Sequence, residues 1–311
     1  MHTAGMSSAQ PFLGRDVRVP GLSLLACGKV RDIYELDARH LLFVTTDRVS
    51  AFDVVMNEGI PHKGQVLTAI SAFWFARTRD IIDNHLVSTS VDDLSGLDAG
   101  WRERLAGRIM IVRRAVPTSV EWVVRGYLAG SGWKEYQQRQ SVCGVPLPAG
   151  LSQSSRLPTP ILTPTTKEAS HDLPITPDEA RERVGGSVFD CAHKAALELF
   201  ARGTRELDSL GILLADTKFE FGVLDQRVML IDEVLTPDSS RFWNKRDWRL
   251  GISPPSWDKQ ILRDWLEAQP WNKEYPPPRV DPAILARVSD RYLEICEKLT
   301  GSLPAGAGVR G

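Results

Sequence analysis

Residues 212–243, ILLADTKFEFGVLDQRVMLIDEVLTPDSSRFW, place the tightest limit on the fold. Asp216, Lys218 and Glu220 alternate with Thr217, Phe219 and Phe221. Successive side chains of a strand point to opposite faces, so the pattern reads as a strand with one charged face and one core face. Turn residues at 222–227 and a second β-rich run at 228–234 complete a hairpin. With a three-residue loop at 225–227, Glu220 is expected directly opposite Asp232. Like charges at paired positions repel, and a cation between them removes the conflict. Oxygen donors without nearby Cys or His favour Mg2+ or Ca2+ over zinc. The alternative is a solvated face whose acids pair with Lys218 and Arg227. Asp238, Ser239, Ser240 and Arg241 follow at once, a set suited to gripping a phosphate or carboxylate. A metal pair beside an oxyanion clamp points to phosphoryl chemistry.

At 311 residues the chain can bury a substantial core, as two domains or one large α/β unit. Charged residues at 25% and hydrophobic residues at 42% suit a globular protein, and a net charge of -1 argues against nucleic acid gripped through a broad basic surface. No apolar run approaches the roughly 20 residues that span a bilayer. MHTAGMSSAQ lacks the apolar centre of a signal peptide. Cys27, Cys143, Cys191 and Cys296 stand far apart with no CxxC, as expected of free thiols in a reducing cytoplasm.

Residues 28–52, GKVRDIYELDARHLLFVTTDRVSAF, read as two strands joined by a polar turn at 37–39. Gly28, Lys29 and Arg31 give backbone access and two cations at the head of a strand. They form either a triphosphate cradle or a basic hairpin edge, and the motif is neither a Walker A loop nor GxGxxG. Asp47, Arg48, Ser50 and Asp53 make a polar knot. Residues 65–81 have helical apolar spacing. Residues 108–116 are a further strand stopped by Pro117, and the domain boundary is placed near 115–120, dividing the chain into 1–118 and 119–311. A short strand at 121–124 leads into RGYLAGSG, residues 125–132. Its glycines and Ser131 either bring backbone N–H groups to an anion beside Arg125 or form only a turn.

Residues 141–164 are a long irregular Pro- and Ser-rich connection. They run into TTKEASHD, residues 165–172, where His171 is the best histidine candidate for acid–base work. Thr176, Pro177 and Glu179 form a capping box, and a helix is predicted over 188–210 with Gly211 as its stop. Residues 258–267 are a short helix. Asp281 and Pro282 open a last helix with an apolar stripe of Leu285, Val288, Tyr292, Ile295 and Leu299. Helix-then-strand order gives an α/β class.

GKVRDIY, TTDRVSAFD, IPHKGQVLT, VVRGYLAGSGWKEY, LPTPILTPTTKEASHD, LLADTKFEFG and IDEVLTPDSSRFW together resemble the SAICAR synthetases. These are ATP-dependent ligases of purine biosynthesis, and the resemblance covers residues 28–266. It implies an α/β (α+β), two-lobed, ATP-grasp-like fold. An antiparallel β-rich N-terminal lobe and an α/β C-terminal lobe are expected to flank the active-site cleft. It also implies the reaction: carboxyaminoimidazole ribotide (CAIR), L-aspartate and ATP give the succinocarboxamide SAICAR, ADP and phosphate, with ATP and Mg2+ as the cofactors.

By the same resemblance Gly28, Lys29 and Arg31 look like the triphosphate loop, and Glu220 and Asp232 like the Mg2+ ligands. Adenine is expected against residues 113–120, with Arg113 and Glu121 in the ATP set. Arg125, Ser131, Asp238, Ser240 and Arg241 look like the grip on the ribotide, with Lys259 reaching the same site. Lys167, Asp172, Asp216 and Lys218 look like the polar groups around the reacting carboxylate and the incoming aspartate. The rival reading is a small-molecule kinase with the same ATP and Mg2+ equipment.

Overall fold

The computed structural model describes residues 10–14, 18–167, 173–257 and 259–307. In chain order the first elements are β1 (Ser23–Cys27), β2 (Arg31–Glu35), β3 (His40–Thr45), β4 (Arg48–Ala51), β5 (Val54–Gly59), α1 (Lys63–Arg77), β6 (Leu86–Ser88), α2 (Ala99–Leu105) and β7 (Ile109–Arg113). Next come β8 (Val116–Tyr127), α3 (Gly130–Arg139), β9 (Ser141–Val142), β10 (Val145–Pro146), β11 (Arg156–Leu162) and β12 (Thr165–Thr166). Then follow α4 (Pro177–Val184), α5 (Gly186–Ser209), β13 (Ile212–Leu224), β14 (Arg227–Ile231), β15 (Ser240–Asn244), α6 (Gln260–Glu267) and α7 (Pro282–Thr300). No described helix is long and apolar enough to cross a membrane.

The chain divides into two compact units, one of residues 1–69, 87–112 and 259–311, the other of residues 70–86 and 113–258. This differs from a cut at 118/119 chiefly in the C-terminal helices, which belong with the first unit.

The first unit holds the sheet β1–β2–β3–β7–β6 and the hairpin β4–β5. The turn expected at 37–39 forms because the Asp37 carboxylate accepts the N–H groups of Arg39 and His40, at 2.7 and 2.9 Å. Tyr34, Leu42, Val44, Leu105 and Ile109 pack together beneath the sheet. On α7 the Asp281 side chain accepts from the Ala283 N–H at 2.8 Å, with Pro282 in the first turn. The stripe Leu285, Val288, Tyr292, Ile295 and Leu299 is buried, as its spacing predicts.

The second unit is an antiparallel sheet in the order β11–β8–β13–β14, with β12 on β8 and β15 on β13. β13 is its axis: β8 lies along one edge, and β14 and β15 share the other. Helix α5 covers the sheet, with the Trp122 ring 5.5 Å from Phe189 and 5.7 Å from Phe221. Gly126 permits that approach, since a Cβ there would lie 2.9 Å from the Phe200 ring. The capping box of α4 is formed in full.

Two expectations change. The hairpin turns on two residues rather than three: Asp225 and Gln226, at φ 49 and 63, give the backbone twist that suits a two-residue loop. Leu224 therefore pairs with Arg227, and Glu220 faces Ile231 rather than Asp232. Asp232 sits just past the end of β14, at φ 66. Residues 141–164 are not irregular throughout, because they carry the β9–β10 hairpin and the sheet strand β11.

Candidate active site

Asp216, Lys218 and Glu220 occupy alternate positions on β13, as the sequence predicts. The register with β8 puts Arg125 opposite Asp216 and Glu121 opposite Glu220. Both glutamates are buried, at 7% exposure. A like-charge pair therefore exists on this face, with Glu121 in the place the sequence reading gave to Asp232. Lys218 holds the two acids together: its Nζ donates to Glu121 Oε1 at 2.5 Å and to Glu220 Oε1 at 3.2 Å. The Lys167 ammonium donates to Glu220 Oε2, and the Thr165 hydroxyl donates to Glu121 Oε2 at 3.2 Å. Burial alone draws the Lys218 ammonium's pKa down. The fields of Glu220, Glu121 and Asp232, with the hydrogen bond to Glu121, outweigh burial, and the net shift is upward.

Asp216 lies between two guanidiniums, because β15 brings Arg241 opposite it on the other edge. Its Oδ2 accepts from Arg125 Nη1 at 2.9 Å and from Arg241 Nη1 at 2.5 Å. Arg125 Nε donates to Thr163 Oγ1 at 3.0 Å and Nη2 to Ser131 Oγ at 3.2 Å. Burial lowers the Arg125 pKa and Asp216 opposes that shift; an arginine stays charged regardless. The space for these side chains comes from two glycines at the start of α3. A Cβ on Gly130, at φ 53, would lie 2.5 Å from Arg241 Nη2, and one on Gly132 would lie 3.2 Å from Arg125 Cδ.

The hydroxyls of Ser240 and Thr217 share a hydrogen bond of 2.8 Å. The Lys218 N–H donates to the Ser239 carbonyl at 2.9 Å, and the Asp238 N–H donates to Thr236 Oγ1 at 3.2 Å. This seats the 236–240 turn against β13.

The remaining sequence-predicted residues have surroundings of their own. The Arg113 guanidinium is committed to Asp83, at 2.8 Å, and to the Asn84 carbonyl. In the first unit the Gly28 N–H donates to the Arg31 carbonyl at 2.7 Å, and the exposed Lys29 ammonium meets Asp53 at 2.6 Å. Lys259 is the N-cap residue of α6 in that same unit. Asp172 and His171 lie outside the described residues. Sequence reasoning missed Glu121 as the cross-strand partner of Glu220. The signal was there, one acid inside the apolar run Val120 to Val124.

A cavity of about 670 Å³ lined by Tyr127, Phe200, Lys245 and Trp248 has none of these acids in its lining. Among the described residues no group of three or more His, Cys, Asp or Glu could hold a metal ion.

Two guanidiniums, one buried and one half-buried, converge on one carboxylate beside opposed acids bridged by Lys218, an arrangement that suits an enzyme handling anionic small molecules. The chain belongs to the SAICAR synthetase family, whose model matches residues 24–278. It is 53% identical over 287 residues to a phosphoribosylaminoimidazole-succinocarboxamide synthase of Syntrophotalea carbinolica, covering 92% of this chain and 97% of that one. The solved SAICAR-synthase from Saccharomyces cerevisiae complexed with SAICAR superposes at a TM-score of 0.84 with 41% identity, covering 93% of this chain and 98% of that one. A SAICAR synthetase (Type-2) in complex with ADP, 24% identical at a TM-score of 0.65, covers 90% of this chain and 98% of that one and shares the fold.

Proposed function

We propose that this chain is the ATP-dependent ligase that joins L-aspartate to the carboxylate of CAIR, giving SAICAR, ADP and phosphate. The observation that carries the reading is the β13 ladder, Asp216–Lys218–Glu220, with Arg125, Arg241 and Glu121 opposite it. It offers guanidiniums for a phosphorylated, carboxylated substrate and an acid–lysine cluster for the transferred phosphoryl group, in a chain of this family. The kinase reading is not favoured, since the relatives that match almost end to end are synthases.

A carboxylate at neutral pH is a poor electrophile, and its charge repels a nucleophile. Phosphorylating its oxygen with the γ-phosphoryl group of ATP makes an acyl phosphate with a good leaving group, a step catalysed mainly by positioning and charge neutralisation. Lys218, held as an ammonium by its acids, and Lys167 supply positive charge to the developing phosphate oxygens. Gly28, Lys29 and Arg31 hold the polyphosphate, and adenine takes residues 113–120. Arg125, Ser131, Asp238, Ser240 and Arg241 hold the ribotide, with Lys259 in the same set. Asp216, bound to two guanidiniums, orients them rather than taking a proton. The proton of the aspartate amine passes to Asp172 or to an oxygen of the departing phosphate.

The carboxylates of Glu220 and Asp232 fit Mg2+, which takes hard oxygen donors from one or two acids and completes its shell with phosphates and water. Bound there, the ion would supply further charge neutralisation on the phosphates. A cytoplasmic location belongs to the same reading, in keeping with four free cysteines.

The test is an assay of the purified protein with ATP, Mg2+, CAIR and aspartate, each omitted in turn. Phosphate release that needs all of them is the expected result. ADP formed with a stable phosphorylated product, and no need for aspartate, would overturn the ligase in favour of the kinase.

A further inference from the structure

Arg48 opens β4 and is buried, at 3% exposure. All of its donors are engaged in one place. Nη2 and Nη1 grip the Asp32 carboxylate at 2.7 and 3.2 Å. Nη2 also donates to the Gly28 carbonyl at 2.9 Å, Nε reaches the Lys29 carbonyl at 3.4 Å, and Nη1 donates to the Leu13 carbonyl at 2.7 Å. Asp32 pairs with Cys27 across β1 and β2, so the ion pair sits at the base of the turn these strands enclose. Gly14, at φ 67, closes over it: a Cβ there would lie 2.7 Å from Asp32 Oδ2.

The direction of the two carbonyls matters. In a trans peptide the C=O and the following N–H point opposite ways. Carbonyls of Gly28 and Lys29 turned onto Arg48 therefore turn the N–H groups of Lys29 and Val30 away from it. Among the described residues neither amide donates a hydrogen bond. Successive amides facing outward, with a lysine side chain beside them, make a concave anion seat.

We propose that Arg48, anchored by Asp32, is a positioning residue that presets the 28–30 turn for the polyphosphate of ATP. It touches no phosphate; it holds two carbonyls inward so that two amides face out. This rests on the reading of Gly28 and Lys29 as the triphosphate loop. A lysine at 48 could not do the same work, because an ammonium lacks the planar fork that reaches the carboxylate and both carbonyls at once.

The experiment compares Arg48→Lys with Lys29→Ala in the full chain, measuring KM for ATP, aspartate and CAIR together with kcat. Arg48→Lys is expected to raise KM for ATP about tenfold, as lost charge-assisted hydrogen bonds would. The other two KM values and kcat at saturating ATP should hold. A rise in KM for ATP with Lys29→Ala but not with Arg48→Lys overturns the positioning role and leaves the loop reading intact. An unchanged KM for ATP in Lys29→Ala brings down the loop reading, and the proposal with it. If Arg48→Lys does not fold, Asp32→Asn is the milder probe, expected to raise KM for ATP about threefold. A folded Asp32→Asn enzyme with normal KM for ATP, or either variant raising all three KM values and lowering kcat together, overturns the proposal.

Discussion

Buried charge is balanced in opposite ways in the two units. In the first, Arg108 grips Asp47 with two nitrogens at 3.0 and 3.3 Å, and Asp47 also accepts the N–H groups of Phe12 and Gly64 at 2.7 and 2.8 Å. Arg48 and Asp32 are matched in the same one-to-one fashion. In the second unit two glutamates face each other, Lys218 spans both of them, and Lys167 adds a second ammonium on Glu220. A guanidinium fork locks one geometry, whereas an ammonium is a compact charge on a flexible stem. The first arrangement suits a scaffold. The second suits a place where one cation gives way to another during turnover.

Four substitutions would break or sharpen that contrast. Asp232→Asn is expected to lower turnover by about a thousandfold or more. Its melting temperature should stay near the parent value, because asparagine tolerates a left-handed backbone as aspartate does. Near-normal activity with Mg2+ would take Asp232 out of the metal set. Arg108→Leu leaves Asp47 buried without its guanidinium and should lose about 3 kcal/mol of stability in denaturant unfolding. A loss below about 0.5 kcal/mol would make the buried pair no better than a surface one.

Lys218→Met leaves Glu121 and Glu220 opposed and should lose about 2 kcal/mol. Since the folded pKa of Lys218 is raised, its stabilisation is complete below the ordinary value of 10.5 and fades only as pH climbs through the higher folded value. The stability difference between parent and variant should therefore be flat from about pH 6 to 9. A difference that shrinks across that window would show that the acids do not hold the proton on. The smallest effect is expected from Asp53→Ala, which removes the exposed partner of Lys29 and should shift stability by no more than about 0.5 kcal/mol. A larger loss would mean that the surface pair shares in the scaffold.

Periodicity made much of this legible. The alternation of residues 216–221, the capping box of α4 and the stripe on α7 all follow from the spacing of side chains along one element. The turn at Asp225 and Gln226 misled the register because a two-residue loop with positive φ usually advertises itself with Asn-Gly or Asp-Gly, and here glutamine fills the second position. Glu121 stood out as one acid in an apolar run, but its partner was hidden for another reason. Its pairing with Glu220 joins strands about a hundred residues apart, and no local pattern encodes which strands become neighbours. Arg48 was visible as part of a polar knot, yet its carbonyl partners lie in segments that only the fold brings to it.

The paired glycines at the head of α3 have a consequence for anyone altering this chain. Each leaves out a methyl group where a charged plane has to lie flat, so a single added carbon at 130 or 132 would tilt an arginine without touching the acid it serves. Such a change erases no functional group and reads as conservative by composition. It would still detune recognition from behind, and a survey limited to polar residues would overlook both positions.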